Sequence, residues 1–180
     1  MEITIRNSQR LIRISRRRIE RLARKALSCQ IRKESSRRPG KKRAGVVSLP
    51  DPTSVEVSIL FVSDRRMRRL NREYRGIDKT TDVLSFPQVE AAGGGQPEIR
   101  GPKEPEGAGG AGTFPLGDIV ISLPRARRQA EEYGVPLYDE ITRLLIHGLL
   151  HLFGYDHERG GYEAVRMRKR EAELAEALCR

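Results

Sequence analysis

The chain has 180 residues, enough for one domain with a real core and crowded for two. Hydrophobic residues make up 37% and charged residues 33%, which excludes a chain disordered throughout, and no apolar run approaches the roughly 18 residues of a bilayer crossing. The formal net charge is +11, and all of the excess lies early: residues 1–44 carry 16 basic and 3 acidic side chains, residues 45–180 carry 19 and 21. Such a stripe concentrates polyanions, so nucleic acid or the ribosome is the leading partner class. The competing reading is a solvated helix face followed by a basic linker. Met1 to Lys25 lacks the continuous apolar core of a secretory signal, which points to the cytoplasm. Cys29 and Cys179 form no Cys-x-x-Cys pair and read as free thiols.

Glu2 to Arg6 alternates as a short strand, and Leu11, Ile12, Ile19, Leu22, Ala23, Ala26 and Leu27 then recur at helical spacing. Gln30 to Gly45 is polar and cationic and predicts an exposed connection. From Ser54 to Ser63, apolar residues on alternate positions with Leu60 and Val62 between them predict a strand buried on both faces. Asp64 is a candidate N-cap for a short helix through Met67, Leu70 and Tyr74, closed by Gly76. Val83 to Phe86 is a strand halted by Pro87.

Residues 88–115 hold 8 Gly and 4 Pro in 28 positions, too little apolar material to offset the entropy of ordering, and are expected to form a flexible insertion. Leu116 to Ser122 resumes as a strand, and Pro124 opens a helix that Gly134 ends. Asp139 to Phe153 is apolar on nearly every side and should be the central helix. Gly161 to Arg180 suits a final surface helix.

All three histidines fall in the eleven residues His147 to His157. His147 and His151 are four apart, so a helix sets both imidazoles on one face within reach of one ion. Gly154 can adopt a left-handed conformation that ends the helix and swings His157 back to the same point. Three neutral nitrogens suit one Zn²⁺ ion and leave its fourth position open, as in catalytic sites. The alternative is that each histidine is a satisfied core residue. The spacing His-x-x-x-His-x-x-Gly-x-x-His is that of the metzincin proteases, except that Gly148 stands where their general-base Glu would be. Peptide hydrolysis needs that base; RNA cleavage needs it less, because RNA carries its own 2′-hydroxyl and a metal can stabilise the phosphorane.

Three segments together resemble the YbeY endoribonucleases of bacterial rRNA maturation. They are Leu70 to Gly76 continuing through Asp78 and Thr81 to Pro87, then Gly117 to Ile121, then His147 to His157. The resemblance covers Val55 to the C-terminus, with the first strand and helix placed as in the family; residues 88–115 and 30–45 are longer than expected. It implies an α+β fold, a small mixed four-stranded sheet covered by helices with a metzincin-like central metal-binding helix, forming a single domain over 1–180. It implies one Zn²⁺ held by His147, His151 and His157, with His147 and Arg75 as catalytic residues. A guanidinium at Arg75 would hold a phosphate bidentately; its bland alternative is a helix-end Arg completing a cap. Asp156 would orient a ligand imidazole or carry a proton, while Thr81, Asp82 and Ser85 would line the cleft or cap and pack the strand.

The implied activity is single-strand-specific endoribonuclease action in 16S rRNA maturation and ribosome quality control. The implied partners are single-stranded rRNA, the small ribosomal subunit and an Era-type GTPase, with no membrane. The runner-up is a non-cleaving, zinc-stabilised ribosome-assembly factor that binds pre-rRNA; a metalloprotease ranks below both.

Overall fold

The strand Val55–Val62 is apolar on both faces, so covering layers are needed on both sides of it. The computed structural model describes residues 1–36, 55–88, 114–157 and 160–179. Residues 37–45 of the cationic segment and 89–113 of the expected insertion lie outside the described residues. Along the chain run β1 (Glu2–Asn7), α1 (Arg16–Ser35), β2 (Val55–Val62), α2 (Asp64–Arg75), β3 (Val83–Pro87), β4 (Phe114–Ser122), α3 (Leu123–Tyr133), α4 (Leu137–Leu152) and α5 (Gly161–Cys179). The sheet order is β1-β2-β4-β3, with β1, β2 and β4 parallel and β3 antiparallel to β4. This is the mixed four-stranded α+β architecture expected.

One sheet face carries Ile3, Ile5, Val57, Ile59, Phe61, Ile119 and Ile121 into the main core against α1, α4 and α5. The other carries Val62, Leu84 and Val120 into a smaller core against Met67 of α2. β3 is therefore held between two helices: Phe86 meets Tyr74 of α2 edge-on at 5.0 Å between ring centroids, while Val83 and Ser85 lie against Gly148 of α4. A bulge at Leu116–Gly117 on β4 shifts the register with β2. Gly117 adopts φ +142, and a Cβ there would lie 2.2 Å from the Phe86 carbonyl oxygen, so only glycine fits the crossing.

Several boundaries differ from the sequence reading. The first helix begins at Arg16 under a Ser15 cap, and Leu11 is 80% exposed. Gln9 takes the Leu11 and Ile12 amides with its side-chain oxygen, which holds that stretch in a turn. At its other end α1 runs on to Ser35, and Gln30 and Ile31, read as exposed connection, are buried. Ser63 rather than Asp64 caps α2, accepting from the Arg66 amide, and Ser122 caps α3 ahead of Pro124. Phe114 and Pro115 belong to β4 rather than to an insertion. Cys29 is a free thiol. Among the described residues no helix is long and apolar enough to cross a membrane.

Candidate metal centre and its surroundings

The central helix α4 buries Ile141, Leu144, Leu145, Leu149 and Leu152, which fixes its rotation and leaves His147 and His151 half-buried on one flank. At its end Gly154 takes φ +77, and the Tyr155 amide returns to the Leu150 carbonyl at 3.0 Å. Tyr155 is buried beneath the Arg166 guanidinium, 4.2 Å above its ring, and its hydroxyl donates to Glu34 at 3.1 Å. With Tyr155 anchored, the chain can return only toward the helix, and His157 joins the other two imidazoles. One nitrogen from each of His147, His151 and His157 lies within 4.8 Å of the others. His147 Nε2 and His151 Nε2 are 3.1 Å apart, close to the roughly 3.3 Å that two tetrahedral ligands at Zn–N of about 2.05 Å require. His157, on the exposed side, needs to close by at most about 1.5 Å.

The donor set is prepared for a cation. His147 Nδ1 donates to Glu171 Oε1 at 2.7 Å, because a carboxylate can only accept. That places the lone pair of a neutral His147 on Nε2, facing His151. The hydrogen bond from His147 holds Glu171 below the usual carboxylate range. Burial, with His147 and His157 as like-charged neighbours, pushes His151 down to about 4 against the opposing pull of Asp156. His151 is thus neutral at pH 7 and offers its nitrogen without first losing a proton. The residues present fit one N-ligated ion with an open position.

Two other predicted residues have structural duties. Asp82 Oδ1 accepts from Thr81 and the Val83 amide, and Oδ2 accepts from Gln129 at 3.0 Å. Burial pushes Asp82 up, but these hydrogen bonds outweigh it and hold the carboxyl below its ordinary range. Ser85 packs against Gly148, where an added Cβ would sit 2.8 Å from Ile119 Cγ2 and 3.1 Å from Ser85 Oγ. A side chain at 148 would force Ile119 or α4 to shift, so the packing around this position suits glycine and not a protease-type carboxylate. Arg75 is exposed in the last turn of α2, on the helix covering one face of β3, while His147 is on the helix covering the other. Asp156 is half-buried and acts electrostatically on His151.

The family model described as Endoribonuclease YbeY matches residues 4–179. The chain belongs to the YbeY family. It is 46% identical over 125 residues to the Endoribonuclease YbeY of Persephonella marina, covering 69% of this chain and 71% of that one. It is 32% identical over 178 residues to that of Thermodesulfovibrio yellowstonii, covering 99% and 98%. The solution structure of TM1509 from Thermotoga maritima shares the fold, with a TM-score of 0.55, 24% identity, and coverage of 98% of this chain and 88% of that chain.

Two parts of this YbeY site escaped the sequence reading. Glu171 lies 24 residues beyond His147 and has no motif spacing, yet a signal existed. Met167, Arg170, Glu171 and Leu174 share one helical face, so two charged residues occupy inward positions between buried apolar ones. Charged groups placed there need partners. Arg170 donates to Gln30 Oε1 at 2.6 Å and to the Cys29 carbonyl, Gln30 donates to Glu34, and Glu34 receives Tyr155. The polar end of α1 is thus the tie that joins α5 to the histidine turn.

Proposed function

We propose that this chain is a zinc-dependent, single-strand-specific endoribonuclease acting in 16S rRNA maturation and ribosome quality control, formed by one domain spanning 1–180. The observation that carries the reading is the convergence of three imidazoles beside a helix position that excludes a side chain. His147, His151 and His157 would hold the ion, which when bound supplies concentrated positive charge against a phosphoryl oxygen. Glu171 fixes the ring of His147 and keeps its Nε2 lone pair toward the site. Arg75 offers a guanidinium fork to two non-bridging oxygens of the scissile phosphate, orienting it for attack. Its partners in this reading are cytoplasmic: single-stranded rRNA, the small ribosomal subunit and an Era-type GTPase.

The curated relatives named as endoribonucleases support RNA as the substrate. Peptide hydrolysis is disfavoured because Gly148 supplies no carboxylate on that turn, and the packing around it is tight for one. The test is cleavage of end-labelled single-stranded rRNA by the parent, His147→Ala and Arg75→Ala proteins, prepared identically and assayed for zinc. Cleavage that tracks bound zinc and both residues is expected. Equal cutting by all three, or none by zinc-loaded parent, would instead favour an assembly factor that binds pre-rRNA without cutting. Product ends identify the nucleophile: water leaves a 5′-phosphate, the 2′-hydroxyl a 2′,3′-cyclic phosphate.

A further inference from the structure

Within the near-neutral stretch 45–180 lies a local charge concentration: α2 carries six arginines against two carboxylates in 12 residues. Arg65, Arg68, Arg69, Arg72 and Arg75 recur at i, i+3, i+4, i+7 and i+10, which sets them along one side of the helix, with Arg66 at the edge of the stripe. The opposite side is anchored by buried Met67 and Asn71, so this rotation is fixed by the core. Arg65, Arg66, Arg68, Arg69 and Arg72, with Asp78, line a groove of about 420 Å³. Asp78 holds Arg68 through two hydrogen bonds, at 2.9 and 2.7 Å, and Asp64 is paired with Arg128 at 2.7 Å. Among the described residues no carboxylate pairs with Arg65, Arg66 or Arg69, and all three are exposed.

We propose that this arginine stripe is a docking surface for the phosphodiester backbone of single-stranded RNA, separate from the histidine site and leading toward it. The proposal rests on the reading that the chain acts on RNA. From Arg65 to Arg75 the stripe spans roughly 15 Å, enough to face about four phosphates of a stacked strand. Every cation in the helix is arginine, whose planar fork matches a phosphate where lysine offers only a point charge. The outward face carries no large exposed apolar side chain before Tyr74, unlike a helix that docks on a lipid surface. Its C-terminal end reaches β3 through Tyr74 and Phe86, and the other face of that strand supports the histidine helix.

The test is anisotropy titration of an end-labelled single-stranded RNA oligonucleotide with full-length protein from 50 to 200 mM NaCl. Parent, Arg65→Gln/Arg66→Gln/Arg69→Gln and the corresponding triple Lys variant would be compared. Removing three phosphate contacts should lower the log–log salt slope by about 2, so that the parent loses roughly 20-fold more affinity than the Gln variant over that range. The Lys variant should restore the parent slope, because counterion release counts charge. A Gln-variant slope equal to that of the parent overturns the proposal, even if RNA is still cut. A reduced Gln-variant slope beside a parent that never cuts leaves the surface standing and removes the nuclease reading. Arginine-dependent binding to phosphatidylserine vesicles, with an unchanged RNA slope, would overturn the proposal in favour of a membrane surface.

Discussion

Replacing Glu171 by Gln keeps the shape of the side chain but removes the charge that receives the His147 Nδ1–H at 2.7 Å. A hydrogen bond to a charged group contributes about 1.5–3 kcal/mol. Loss of a carboxylate behind a metal-ligating imidazole weakens metal binding about 10–100-fold, or about 1.4–2.7 kcal/mol, so both routes give the same range. At saturating zinc the stabilisation conferred by the ion should fall by that amount, and at about 2–4 °C per kcal/mol the zinc-induced rise in Tm should shrink by about 3–11 °C. The comparison is between the increments with and without zinc, so any effect of the substitution on the metal-free protein cancels. A chelator-competition titration supplies the dissociation constants independently. Zinc constants within twofold of each other, together with equal increments, would refute the idea that Glu171 positions His147.

Gly148→Ala gains about 1 kcal/mol of helix propensity but places a Cβ 2.8 Å from Ile119 Cγ2, an overpacking of about 1–3 kcal/mol. Urea unfolding should show a net loss of up to about 2 kcal/mol, and an Ala protein more stable than the parent would contradict the packing argument. Gly117→Ala should cost about 2–4 kcal/mol in the same assay, since φ +142 and the Phe86 carbonyl both exclude a side chain. Asp82 titrates lower in the folded chain than in the unfolded one, so below about pH 4 the unfolded state binds more protons and stability drops. Its contribution is complete above that pH, and Asp82→Asn should flatten the fall in urea midpoint between about pH 5 and 2. Parallel curves would remove Asp82 as a source of acid sensitivity.

The elements most legible in the sequence are those whose own residues decide their burial. β2 reads correctly because Leu60 and Val62 interrupt an alternation already apolar on the other face, and α4 because nearly every side is apolar. The histidine cluster is legible because helical spacing and the glycine at 154 already point to the convergence of the rings, even without the Tyr155 anchor. What was missed depends on tertiary partners. Gln30 and Glu34 look like linker until Arg170 and Tyr155 arrive from elsewhere in the chain to satisfy them. Ser63 and Asp64 are both good caps, and only backbone geometry chooses Ser63. The arginine stripe on α2 vanished in a charge average taken over 45–180, where distant acids cancel it on paper but not in space.

The contact between His147 and Glu171 also has a temporal side. The two are separated by 24 residues, so a ribosome adding about 5–20 residues per second makes the imidazole roughly one to five seconds before its carboxylate. Until α5 docks through Arg170 onto Gln30, the ring lacks the carboxylate that fixes its tautomer, and the hydrogen bond from Tyr155 to Glu34 is what ties the histidine turn to α1. If the cluster holds an ion as proposed, its full ligand arrangement is a late event in the making of the protein, completed once this helix has emerged and settled.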